Sequence, residues 1–244
     1  IYQLIDSVII AIEWINSMPS QSLIEPQMSH EKPLNISGYS LSEEITNSIS
    51  HGLGVIAGVV GLVFMILKGA DHLTSIQLTG VIIYGASLIL LFLSSTLYHS
   101  VTHVGWKHKL KIADHCAIYC LIAGTYTPLM LISLQGQLST IILTAIWSLA
   151  IGGILFKTLF IHRFKKMSLV LYLVMGWLCV TVMGDLTAAM SPLGFKLLLL
   201  GGLFYTLGVI FYVGKRIPYN HAIWHLFVLA GAMSHFFCIY LTVI

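Results

Sequence analysis

The chain has 244 residues, 57% of them hydrophobic and 9% charged, with a formal net charge of +3. Soluble domains carry about 25% charged residues. This chain has too few to cover a water-soluble globule, so the bilayer is the expected solvent for most of it. The small net charge gives no footing for a nucleic-acid partner.

In chain order, residues 1–40 read as an N-terminal extension to one membrane domain, 41–244. Ile1, Leu4, Ile5, Val8, Ile9, Ile12 and Ile15 recur at helical spacing, while Gln3, Asp6, Ser7 and Glu13 lie mostly off that face. The pattern predicts an amphipathic interfacial helix. From Met18 to Ser40 the chain is polar with three prolines and reads as flexible. Its first basic residue is Lys32, and Asp6 and Glu13 come earlier, which argues against a cleaved secretory signal. Met28 is an alternative start.

A spanning helix needs about 20 mostly apolar residues. Seven such runs follow, at 49–67, 77–99, 112–134, 140–161, 168–186, 193–213 and 221–243. Their short separators predict an all-α bundle of antiparallel neighbours. Gly54, Gly58 and Gly61 suggest close helix packing, and Pro128 predicts a kink in the third helix. Cys116, Cys120, Cys179 and Cys238 fall inside apolar runs and read as packing residues. Lys107, Lys109, Lys111, Arg163, Lys165, Lys166, Lys215 and Arg216 fall in alternate connections, against Lys68 and Lys196 in the others. Basic loops stay in the cytoplasm. The N-terminus is therefore expected inside and the C-terminus outside, opposite to the arrangement of G-protein-coupled receptors.

Ionisable groups inside spans are costly and mark function. His99 ends the second run, Asp114 begins the third, and His221 and His225 begin the seventh. The loop charges place all four at one depth, on the cytoplasmic side. His221 and His225 are four apart and share a helix face, so they can offer two imidazoles to one ion, with His99 as a third. Three histidines leave one position of a tetrahedral zinc open for water, the catalytic arrangement. Asp114 would then act as general base or orienting group, and Ser95, one turn before His99, could hydrogen-bond the water or the ligands.

Simpler roles are available to each. A single intramembrane histidine often only bonds a neighbouring helix. Asp114 could pair with Lys111, and Ser95 could bond its own i−4 carbonyl. His51, at the cytoplasmic start of the first run, could support the site, with packing the simpler role. His235 lies roughly 21 Å along the helix from His221 and cannot share the ion. His103 and His108 fall in a basic loop and read as solvated.

Ser95-x-x-x-His99, Ala113-Asp114-His115 with Ile118-Tyr119 and Ala123-Gly124-Thr125-Tyr126-Thr127-Pro128, and His221-Ala-Ile-Trp-His225-Leu-Phe-Val-Leu-Ala-Gly form a three-part pattern. With Glu43-Glu44-Ile45-Thr46-Asn47-Ser48-Ile49-Ser50-His51-Gly52, it resembles the bacterial hemolysin III proteins. These belong with the progestin and adipoQ receptors, which include the adiponectin receptors. The resemblance covers about residues 42–244. It implies seven helices with the N-terminus inside, in a bacterial inner membrane. It also implies zinc on His99, His221 and His225, with Asp114 and Ser95 at accessory positions. Alkaline ceramidases share the pattern, which implies hydrolysis of a membrane lipid amide or ester. The alternatives are a non-enzymatic protein of membrane homeostasis with structural zinc, and a pore-forming haemolysin.

Overall fold

A computed structural model of the chain describes residues 37–134, 136–160 and 165–244. The expected interfacial helix and most of the polar stretch after it lie outside these residues. Among the described residues the regular secondary structure is helical, and seven helices are long and apolar enough to cross a membrane. We label them α1 (Leu41–Gly69), α2 (Ser75–Ser100), α3 (Val104–Ser133), α4 (Gln137–Phe160), α5 (Met167–Ala189), α6 (Pro192–Val213) and α7 (Asn220–Thr242). Consecutive helices pack side by side, and α7 returns against α1, closing the bundle.

The amphipathic logic is that of a protein in lipid. Along α1 the buried residues are Glu44, Asn47, His51, Gly54, Gly58, Gly61, Met65 and Gly69, a stripe at three- and four-residue spacing. Leu41, Ile45, Ile49, Leu53, Ile56, Val60, Phe64 and Leu67 face outward. Polar and small residues inside, with large apolar ones outside, reverse the pattern of a water-soluble helix.

The glycines set how closely the helices approach. A Cβ on Gly54 would lie 2.7 Å from the Phe92 ring of α2, and one on Gly61 2.8 Å from Phe236 of α7. The expected packing role of this stripe is what the structure shows, and α1 thereby sits tightly against both helices that carry the histidines. All four cysteines are unbridged.

Two helices depart from regular geometry. After Pro128, α3 widens into a π-helical turn over Leu129–Ser133, as expected of a proline that cannot donate to the ladder. In α5 the α-helix of Lys165–Gly176 gives way to a 3₁₀ segment, Trp177–Val182. The backbone freed there is satisfied by Tyr126, whose hydroxyl donates to the Met175 carbonyl (3.0 Å) and accepts from the Cys179 amide (2.7 Å). Irregular backbone at membrane depth needs such partners.

The helix starts differ from the hydropathy reading. The first helix begins at Leu41 and the third at Val104, each eight residues before the expected apolar run. Ser40 forms a capping box with Glu43, which starts α1 ahead of its apolar core. Lys107, Lys109 and Lys111 therefore lie within α3 and not in a connecting loop. Lys107 is buried, at 4% exposure.

Candidate metal site

His99 lies in the last turn of α2, and His221 and His225 in the first turns of α7. All three are buried, and one side-chain nitrogen from each lies within 4.8 Å of the others. The i,i+4 pair does share a face, and the third imidazole meets it from α2.

What holds the rings comes mainly from α1. The Glu44 carboxylate accepts from His99 Nδ1 at 2.5 Å. At His225, Nδ1 lies 3.1 Å from the Asn47 carbonyl and 3.0 Å from the Ser50 hydroxyl. With each Nδ1–H donated, the lone pair is left on Nε2. The Nε2 atoms of His99 and His225 and both nitrogens of His221 are buried without a hydrogen-bond partner. Four orphaned nitrogens in one spot would be costly as a final state. They fit a cation that takes neutral imidazoles, and the carboxylate–histidine and carbonyl–histidine contacts are those that orient zinc ligands.

Glu44 is itself neutralised. Its other oxygen lies 2.7 Å from Lys107 Nζ, and Ser37 also bonds it. Lys107 donates further to the carbonyls of Tyr98 (3.1 Å) and Val101 (3.2 Å) at the end of α2, where a cation complements the helix terminus. The ion pair explains how both charges can be buried, since neither is left uncompensated. Sequence assigns Glu44, Asn47, Ser50 and Lys107 no role at the site, although the first three lie in the Glu43–Gly52 stretch and Lys107 counts among the basic connections. The signal for three members of this side was present: Glu44, Asn47 and His51 recur at i, i+3 and i+7.

The seventh helix is pinned at its start. Tyr219 adopts a left-handed conformation (φ 55°) at its N-cap. Its amide donates to Glu43 Oε1 at 3.3 Å, and Asn220 Nδ2 donates to the Phe211 carbonyl at 2.8 Å. Tyr39 stacks on His221, ring centres 5.0 Å apart, with Lys215 Nζ 3.4 Å from its hydroxyl. Burial pushes the Tyr39 phenol well above its ordinary pKa, so it stays neutral.

Asp114 and Ser95 are neighbours on α3 and α2. Asp114 is buried in α3 beside Ser95 of α2, with Lys111 and Lys157 in the field around it. Ser95 Oγ is buried and makes no well-formed hydrogen bond. Asp114 lies outside the three-histidine group but lines a cavity of 140 Å³ that runs through the bundle from His51 to His235. By the same measure a water needs about 10–15 Å³, so the space admits far more than solvent. Its walls are mainly Leu, Ile, Met and aromatic side chains.

The remaining histidines separate cleanly. His51 stacks on His225 with ring centres 3.6 Å apart and planes 9° from parallel, so its place is against the site. His235 is bonded through Nε2 to the Leu198 carbonyl at 3.1 Å and stands apart from the three. His115 bonds the Lys111 carbonyl through Nδ1 at 2.7 Å. His103 and His108 are exposed, and His103 caps α3.

Comparison with known proteins agrees with this architecture. The family model described as "Haemolysin-III related" matches residues 39–236, which include every residue of the candidate site. The chain is 49% identical over 201 residues to "Hemolysin-3 homolog" of Bacillus subtilis (strain 168), covering 82% of this chain and 94% of that one. It is 46% identical over 199 residues to "Hemolysin-3" of Bacillus cereus, covering 82% and 91%. It is 32% identical over 224 residues to "Monocyte to macrophage differentiation factor" of Homo sapiens, covering 87% and 90%. With a family match over most of its length and near-complete coverage of these relatives, the chain belongs to the haemolysin-III-related family of integral membrane proteins.

Proposed function

We propose that this protein is a zinc-dependent hydrolase of a membrane lipid amide or ester. One observation carries the reading: imidazole nitrogens without partners converge next to an apolar cavity whose wall holds a buried carboxyl group. His99, His221 and His225 would hold the ion as neutral ligands, with Glu44, Asn47 and Ser50 fixing ring orientation. Bound zinc supplies a Lewis acid and lowers the pKa of water to about 7. The carboxylate of Asp114 would accept a proton, with the hydroxyl of Ser95 beside it. The cavity walls would exclude bulk water and receive an apolar chain.

In this reading the end of the bundle that carries most of the basic residues is the cytoplasmic face, in the inner membrane of a bacterium, with membrane lipids as partners. The test is turnover of ceramides and phospholipids by purified protein containing about one zinc per chain, lost on chelation and restored by zinc. Absence of turnover across both classes would overturn the hydrolase reading.

A second reading also has an observation behind it. The three histidines and their orienting groups come from α1, α2 and α7, so zinc there could serve to clamp three helices in a protein of membrane homeostasis. Zinc retained without turnover would favour it. The relatives' names bring lysis to mind as well, but the mainly apolar cavity walls do not favour a conducting path.

A further inference from the structure

His51 is a fourth imidazole at the site, and the three-histidine reading leaves it without work. It is 1% exposed, and neither ring nitrogen has a hydrogen-bond partner. A neutral imidazole carries one donor and one acceptor. Leaving both unpaired in a buried place is costly, and an apolar ring would fill the same space without that cost. Packing alone therefore does not account for a histidine here.

Two supporting roles can be set aside from the geometry. His51 does not belong to the group whose nitrogens converge within 4.8 Å, so it is not one of the three ligands. It does not orient His225 through a hydrogen bond either, since that ring's Nδ1 is already held by Asn47 and Ser50. What His51 does is stand between two spaces. One face lies flat on His225, and the residue lines the apolar cavity, which none of the three histidines does. Near this end the lining also holds the polar groups of Asp114, Tyr172 and Trp224.

We propose that His51 is the residue that hydrogen-bonds the polar head of an amphiphile whose chain fills the cavity. The proposal rests on the metal-dependent lipid reading and adds to it the group that positions the ligand. A neutral N–H donates to a carbonyl or hydroxyl oxygen, and the ring is held flat on His225 so that its edge is aimed and not free to turn. From His51, level with His225, the cavity reaches to His235, about 15 Å further along α7 at 1.5 Å per residue, which gives an acyl chain its room.

The test uses purified full-length protein in detergent, loaded with zinc or cobalt, and dodecanohydroxamic acid as probe. Binding is followed by calorimetry, and the cobalt visible spectrum reports the ligand field. His51→Phe keeps a flat ring and removes the hydrogen bond, and His51→Gln returns an N–H donor. His51→Phe is expected to hold about one metal per chain with an unchanged cobalt spectrum before probe is added. Its affinity for the probe should fall about tenfold, the size of one hydrogen bond, and His51→Gln should recover most of that loss. Probe affinity equal to wild type in His51→Phe overturns the proposal. Loss of metal in His51→Phe also overturns it, since His51 would then be a support for His225. Wild-type protein that takes metal but no probe removes the amphiphile and leaves the metal reading standing. Wild-type protein that takes neither zinc nor cobalt overturns the metal reading, and this inference with it.

Discussion

At the scale of single residues, the site is a set of buried groups each made tolerable by a neighbour. His221 has no hydrogen-bond partner at either nitrogen, which the proposed zinc ion would account for. His221→Ala should reduce zinc content sharply, while His235→Ala, remote and already bonded to Leu198, should leave it near one per chain by elemental analysis. Glu44 works through His99. Glu44→Gln keeps the shape but weakens the carboxylate–histidine contact and unbalances Lys107. Zinc affinity should fall about 10–100-fold, the usual effect of losing an orienting partner, read by competition with a chelator. Asp114 separates chemistry from support. If its carboxylate accepts the proton, Asp114→Asn should retain zinc and melting temperature while hydrolysis falls about 10²–10⁴-fold. Zinc and stability falling together would instead make Asp114 structural.

At the scale of elements, α1 decides whether the site forms. Its glycines let it approach α2 and α7, and the same face carries Glu44, Asn47 and Ser50 to the rings. Gly54→Ala would place a methyl group 2.7 Å from the Phe92 ring. Overpacking of this kind costs about 1–3 kcal/mol, so the melting temperature in detergent should drop and zinc affinity should weaken with it. Gly152 on α4 has open space where its Cβ would be, and Gly152→Ala should change neither. A drop of equal size in both would mean that the α1 approach is not what limits stability.

At the scale of the whole molecule, seven antiparallel helices put the α1 start, the α2–α3 connection and the α6–α7 connection at one end. The three histidines are at that end too. In the proposed reading this end, which carries most of the basic residues, faces the cytoplasm. A reporter fused after Ile244 should therefore report an extracytoplasmic position, and one fused before Ser42 a cytoplasmic one. A cytoplasmic C-terminus would overturn the orientation while leaving the histidine geometry untouched, because the grouping of the three rings does not depend on which way the bundle faces.

Sequence by itself determined the number of spans, since a run of about 20 apolar residues is a local property that the bilayer reads directly. It also determined that His99, His221 and His225 could meet, because i,i+4 spacing and alternation of the spans fix face and level. The helix starts at Leu41 and Val104 were not legible in this way, since Glu44 and Lys107 lower the local hydropathy. Only the tertiary structure shows that these charges cancel one another, Glu44 of α1 meeting Lys107 in the first turn of α3. The tertiary structure likewise decided that Glu44 holds a histidine 55 positions away, that His51 lies flat on His225, and that a cavity opens beside Asp114. Each of these is a contact between helices distant in sequence. Their meeting is set by how closely glycine-lined faces approach, a property of two surfaces together that neither helix's sequence carries alone.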